Sequence, residues 1–408
     1  MPPKLLHPFS KPTQEKFVTL VRADGVRAWD EDGKEYIDAL GSLWYCQVGH
    51  GRDEIIDAVA AQMKQLGSYH VFAPMGSDVS DRAAERIVGV SPFPDGRVFL
   101  CGSGSESIDT AVKLVRKIPQ IQNDPDRQII LRRTRGYHGV NVGGTSVQGI
   151  AANREGWGDL MPHVIEIDPT DIEDAARIFS EHGSRIAGVI TEPLQGAGGV
   201  FPPPDGYLEG LRRLCDDNGS LLVFDEVITG FGRTGSWFAT DTYGVTPDLI
   251  TFAKGVTSGY QPMGGVLISR KVCDILEADS DFIWMHGYTY SAHPAACAAA
   301  IANIDLIERE GLVERANTVG DRLSAGLHAL MGDGMFIEVR GRGAIWAAQL
   351  GGEDVTARGI AIRDRMLDLG VACRAINGAL AFCPPLTIED EDIDRIVDIC
   401  AQAVRELE

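Results

Sequence analysis

Two stretches decide the fold: Leu221-Leu-Val-Phe-Asp-Glu-Val227 and Pro247-Asp-Leu-Ile-Thr-Phe-Ala-Lys-Gly255. Each is an apolar run that ends in charge, the first in Asp225 and Glu226, the second in Lys254. Apolar runs of this kind read as parallel strands buried on both faces. Their polar residues then stand at the carboxyl ends, the edge where open α/β sheets bind ligands. A carboxylate and a lysine presented together at that edge suit pyridoxal 5′-phosphate (PLP). The lysine forms a Schiff base with the aldehyde, and the aspartate keeps the pyridine nitrogen protonated.

Working outward, short apolar runs alternate with amphipathic helical segments from about residue 95 to 270. The runs fall at 97–101, 128–131, 186–191, 221–225, 249–253 and 265–268. That pattern predicts an α/β fold with a mostly parallel sheet covered by helices. Residues 16–40 alternate around Asp24-Gly25 and Asp32-Gly33, as in a small antiparallel meander. Residues 53–66 carry apolar positions at helical spacing, and an alanine-rich helix starts after His293-Pro294. The expected division is an N-terminal segment over 1–50 that joins a small domain, a large cofactor-binding domain over 51–295, and a C-terminal α+β small domain over 296–408.

The chain has 408 residues, more than one compact core usually holds. Hydrophobic residues make up 44% and charged residues 24%, which is ordinary for a globular protein. The net charge of −20 argues against nucleic acid or an acidic membrane as partner, because phosphate binding needs a basic surface. It leaves a small anionic ligand open. The eight cysteines form no CxxC pair and lie mostly in apolar runs. They read as reduced core residues of a cytoplasmic protein, with no disulfide frame and no metal site. The N-terminus, Met1-Pro-Pro-Lys-Leu-Leu-His-Pro8, has no apolar h-region and no apolar run approaches ~18 residues, so neither a secretion signal nor a membrane span is expected.

Three further segments carry candidate chemistry. Val98-Phe-Leu-Cys-Gly-Ser-Gly-Ser-Glu-Ser107 reads as strand, glycine-serine turn and helix, which makes a phosphate cup at a helix N-terminus. Such a turn is equally often a tight connection, and this one lacks the lysine of a nucleotide-binding loop. Arg135-Gly-Tyr137-His138-Gly139 follows another strand. Tyr137 could lie against a flat ring or simply pack in the core with its hydroxyl satisfied. Thr191-Glu192-Pro193 ends the run 186–191 and puts another carboxylate at the same sheet edge, where helix capping is the alternative role.

These segments occur together with Asp225-Glu-Val-Ile-Thr-Gly-Phe-Gly-Arg-Thr-Gly235, His286-Gly-Tyr-Thr-Tyr-Ser-Ala-His-Pro294 and Pro384-Pro385-Leu386. In this order the chain resembles the class III, PLP-dependent aminotransferases of fold type I over residues ~35–390. The resemblance implies a large domain with a seven-stranded, mostly parallel sheet and a small α+β domain built from both chain ends. It implies that Lys254 bears the cofactor and carries the proton, and that Asp225 pairs with the pyridine nitrogen. Val227 and Tyr137 would pack on the two ring faces, with His138 beside them. Gly104 and Ser105 would bind the phosphate, and Glu192 would sit near the ring hydroxyl. Thr289, with Tyr288, would reach the phosphate from a second subunit. A homodimer, or a tetramer, follows.

The family also divides by substrate. Branches acting on ornithine or γ-aminobutyrate keep an arginine three residues before the C-terminal Pro-Pro, but here that position is Ala381. Arg374 lies ten residues before Pro384 instead. That spacing is similar to the amine:pyruvate and β-alanine:pyruvate (ω-transaminase) branch, in which this arginine binds pyruvate's carboxylate and swings away for an apolar group. Trp44 matches an aromatic pocket wall of that branch, or is a buried core tryptophan. Phe72 matches a second wall supplied across the dimer. The expected activity moves an amino group from an amine or ω-amino acid to pyruvate through pyridoxamine phosphate, giving L-alanine. A racemase, an aminomutase or a 2-oxoglutarate-dependent aminotransferase is the alternative. Ser107-Ile108, the short stretch after Lys117 and Met75 depart from the branch pattern.

Overall fold

The computed structural model describes residues 3–407. Its first strands, β1 (Leu20–Asp24), β2 (Arg27–Asp30) and β3 (Glu35–Asp38), form an antiparallel meander. The central sheet contains β4 (Arg97–Cys101), β5 (Ile129–Arg133), β6 (Val164–Ile167), β7 (Ile186–Thr191), β8 (Leu221–Asp225), β9 (Leu249–Phe252) and β10 (Gly264–Ile268). Their order across the sheet is β4-β10-β9-β8-β7-β5-β6. Only β10 runs against the rest, antiparallel to both β4 and β9. The six other strands therefore point their carboxyl ends to one edge.

Both faces of this sheet are covered, which is why its strands read as unbroken apolar runs. Leu221, Val223, Leu249 and Val266 pack with Ile108, Ala111 and Val115 of the helix Gly104–Ile121. Leu222, Phe224, Ile250 and Leu267 pack into the opposite core with Tyr207, Leu208 and Leu211. Alternation along each strand supplies the two faces in turn.

Five further strands follow: β11 (Glu338–Arg342), β12 (Ile345–Gln349), β13 (Val371–Ala372), β14 (Arg374–Ile376) and β15 (Ala379–Phe382). Four of them make an antiparallel sheet in the order β11-β12-β15-β14. The fifth, β13, pairs in parallel with β3, so the meander is completed from the far end of the chain. The alanine-rich helix Pro294–Arg309 packs on the helices Asp53–Leu66 and Asp78–Gly89. All eight cysteines are unpaired, and only Cys373 is not fully buried. Among the described residues no helix is long and apolar enough to cross a membrane, and no cluster of side chains could hold a metal ion.

Candidate active site

Six carboxyl-terminal strand ends at one edge concentrate polar groups, and Asp225 is at their centre. It is the last residue of β8 and is almost completely buried. Its Oδ1 accepts from Thr251 Oγ1 and from the Val227 amide, both at 3.1 Å. Its Oδ2 lies 2.7 Å from His138 Nδ1. Thr251 stands directly opposite Asp225 on β9. This hydroxyl was not singled out in the sequence, although a lone polar residue inside an apolar run was the available signal. The outer nitrogen of the buried His138, Nε2, has no partner.

Lys254 follows β9 by two residues, on a single tight turn over Lys254–Val256. Its amine makes no hydrogen bond or ion pair among the described residues. Burial lowers its pKa from the ordinary 10.5, opposed by the charges of Asp225 and Glu192. An amine so placed spends more of its time neutral, which is the nucleophilic form.

Glu192 follows β7 and is buried. Its carboxylate accepts from the Tyr137 and Gly196 amides, each at 2.8 Å. Burial, with the nearby Asp225, pushes its pKa up to about 7, while His138 opposes the shift. Glu226 departs from the cluster although it adjoins Asp225 in sequence. Successive strand residues point to opposite faces, and Glu226 turns away to accept from the hydroxyls of Thr229 and Thr240 and from the amides of Ala239 and Thr240. It ties down the start of the short helix Ala239–Tyr243.

The glycine-serine turn after β4 is a built helix start. Ser103 caps the helix Gly104–Ile121 by accepting from the Glu106 amide, and Glu106 accepts from the Gly102 amide at 2.6 Å. This reciprocal capping leaves the first-turn amides of Gly104 and Ser105 to face outward. A methyl group at Gly104 would lie 3.1 Å from both methyls of Val227, so the cup and Val227 are in contact. Ser105 Oγ accepts from the Val140 amide, and a Cβ at Gly139 would lie 2.5 Å from that oxygen. Gly139 is therefore required to bring the Tyr137–His138 loop against the cup.

Arg374 is half-buried on β14 and makes no hydrogen bond or ion pair among the described residues. Burial lowers its pKa, with Tyr137 as the nearest opposing influence, and its charge is felt at Lys254. Tyr137 is partly buried, and burial raises its hydroxyl pKa against the opposing charge of Arg374. Lys254, Asp225, Glu192, His138, Tyr137 and Arg374 thus form one group.

Four other expected site residues lie in other surroundings of the single chain. The Tyr288 hydroxyl donates to the Glu106 carbonyl of its own chain at 3.1 Å, so it anchors the 286–290 loop to the cup helix. Neighbouring Thr289 is exposed. Trp44, 2% exposed, packs among Leu194, Ile228, Ile376 and Cys383. Phe72 is exposed and lies against Gly287, far from enclosure in the single chain.

The sequence matches the family described as Aminotransferase class-III over residues 9–404. It is 37% identical to the β-alanine–pyruvate aminotransferase of Pseudomonas aeruginosa, covering 94% of this chain and 91% of that protein. It is 36% identical to the ω-amino acid–pyruvate aminotransferase of Pseudomonas putida, covering 95% and 92%. Among solved structures, an amine transaminase from an uncultivated Pseudomonas species in its PLP-bound form superposes with a TM-score of 0.96 at 33% identity, over 100% of both chains. An (S)-enantioselective ω-transaminase from Thermomicrobium roseum gives 0.95 at 34% identity, over 98% and 96%. With a carboxylate, a free lysine and an anion-ready helix start at one sheet edge, and with these likenesses along its whole length, the chain belongs to the class III aminotransferases, PLP-dependent enzymes of fold type I.

Proposed function

We propose that this enzyme moves an amino group from a primary amine or ω-amino acid to pyruvate, yielding L-alanine. The observation that carries the choice of acceptor is Arg374, a guanidinium without an ion-pair partner that shares the cleft with Tyr137 and Lys254. A planar fork held ready in a half-buried place suits a small carboxylate.

The residues present fit PLP. Lys254 offers an uncommitted amine to its aldehyde, and Asp225 offers a buried carboxylate to its ring nitrogen. The first-turn amides and hydroxyl of Gly104 and Ser105 offer donors to its phosphate. Val227 and Tyr137 offer apolar and aromatic surfaces to its ring. When bound, the cofactor supplies an electron sink that takes the amino group from one substrate and returns it to the other.

The chain's own groups do the rest. Asp225, held by Thr251, Val227 and His138, is fixed where a ring nitrogen needs a counter-charge. Lys254 moves the proton from the substrate's amine-bearing carbon, assistance worth about 10²–10⁴-fold on the usual scale. Arg374 binds the carboxylate of pyruvate and must leave room when an apolar amine enters. Trp44 contributes an apolar backing to the pocket, while Phe72 serves the pocket of a second subunit.

A homodimer, or a dimer of dimers, completes this reading. Exposed apolar side chains group in two places: Phe9, Val140, Val142 and Trp157 around a cavity of about 630 Å³, and Ile283 and Met285 beside another of about 380 Å³. Such grouped exposure supports an interface, with Thr289 of one subunit serving the phosphate of the other. The unpaired cysteines support residence in the reducing cytoplasm.

The test adds 1-phenylethylamine, and separately β-alanine, to the holoenzyme without an acceptor. Loss of the cofactor's visible band with acetophenone release establishes amine transamination, and loss with β-alanine alone narrows the donor to ω-amino acids. A band unmoved by both removes the proposal and leaves racemase or aminomutase chemistry.

A further inference from the structure

Lys254 is held in a backbone conformation that it would not choose. Its φ is +47°, in the left-handed region that costs non-glycine residues energy, and Ser258 four residues on is at +48°. Strain of this kind persists only where the surroundings impose it. Here they are not local. The carbonyls of Gly255 and Val256, immediately after the lysine, both accept from Asn303 Nδ2, at 2.8 and 3.0 Å. Asn303 is fully buried in the helix Pro294–Arg309, which is itself clamped across two other helices. On the opposite side Gly255 is pressed against Gln47, leaving no space for a Cβ.

The amide of Asn303 is only half used. Its Oδ1 is buried without a partner. A leucine of similar branched shape would remove that orphan oxygen, but it would leave the two turn carbonyls without this donor. The donor half therefore has a task at this turn that the acceptor half does not share.

We propose that Asn303 is a positioning residue for Lys254: its amide fixes the left-handed turn, so the lysine amine keeps one place in the cleft through both half-reactions. This rests on the reading that Lys254 bears the cofactor. Without the amide the turn relaxes and the amine shifts. Displacements near 1 Å are enough to cost about 10²-fold in rate. Because Lys254 serves both half-reactions, both slow together, unlike the one-sided loss expected when Arg374 is removed.

The experiment first reduces wild-type holoenzyme with borohydride and maps the modified peptide. Label on a lysine other than Lys254 removes the underlying reading, whatever Asn303 does. With Lys254 confirmed, Asn303→Ser and Asn303→Asp are compared with wild type as holoenzymes. Both should lose about 10- to 100-fold in kcat in each half-reaction, with KM values nearly unchanged. The pH at which the visible band changes form should move by about half a unit or more. In Asn303→Asp a protonated carboxyl can again donate to one carbonyl, so its activity relative to wild type should climb as pH falls. Variants that fold and bind PLP with wild-type kcat and an unmoved spectral midpoint, or that lose only thermal stability, overturn the proposal.

Discussion

Replacing Arg374 by leucine separates the two halves of the reaction. Arg374 is half-buried, without an ion-pair partner, and its charge is felt at both Tyr137 and Lys254. Hydrogen bonds to charged groups contribute about 1.5–3 kcal/mol each when formed. A guanidinium already partly desolvated forms two to a carboxylate, and some of that gain is spent on displacing water. A net loss of about 2–3 kcal/mol is the working figure, which is about 30- to 150-fold in kcat/KM for pyruvate. A carboxylate-free amine makes no use of the fork, so its half-reaction should change by less than about threefold. Arg374→Lys keeps the charge and loses the planar pair, so it should fall between. The assay follows each half-reaction alone by stopped-flow absorbance of the cofactor. Equal losses with amine and pyruvate, or an undiminished pyruvate rate in the leucine variant, would refute the reasoning.

Capture of PLP by apoenzyme should accelerate with pH along a curve whose midpoint lies below the ordinary lysine value of 10.5, because burial lowers the Lys254 pKa. A curve centred on the ordinary value contradicts this, and spectral growth after mixing measures it. His50 bonds Asp38 at 3.0 Å, and that bond is the first cause raising its pKa to about 10, above the unfolded value of 6.5. The folded chain binds this proton more tightly, so the stabilisation is complete below 6.5 and disappears as pH rises through 10. His50→Gln should therefore lose about 1–3 kcal/mol at about pH 6 and much less near pH 11. Urea unfolding at fixed protein concentration gives both values, and a gap that does not narrow counts against the ion pair. Val142→Lys should weaken subunit association at least about 10-fold, read by sedimentation, if the patch around Trp157 is covered by a second copy; an unchanged dimer places the interface elsewhere.

Much of this site was legible because strand ends are legible. Asp225, Glu192 and Lys254 each close an apolar run, and an abrupt charge at the end of such a run marks the ligand edge of the sheet. The same signal misled at Glu226, since adjacency in a strand means opposite faces. The arginine question needed register. In the structure Arg374 on β14 stands directly opposite Ala381 on β15. Directly opposed residues project from the same face at about 5 Å, so the two sequence positions at which an arginine was sought are neighbours in space. Spacing along the chain gave ten residues against three and hid this. Asn303 was hidden for a different reason. Within an alanine-rich helix it looks like a tolerated polar residue, and only the packing of that helix brings its amide to the turn after Lys254. Trp44 carries two readings, pocket wall or core, that spacing along the chain leaves open.

The meander completed by β13 bears on how the chain comes into being. Ile37 pairs with Val371, and the Ile37 amide donates to the Gly370 carbonyl. The edge of β3 thus stays open until β13, far downstream in the chain, has emerged. Closing so long a loop is slow relative to local pairing, and an open strand edge is a template for other chains. A truncation short of residue 371 would spare Lys254, Asp225 and the phosphate cup. It would remove Arg374 and also release nascent chains with a permanent sticky edge, so aggregation during expression should come before any loss of pyruvate binding can be measured.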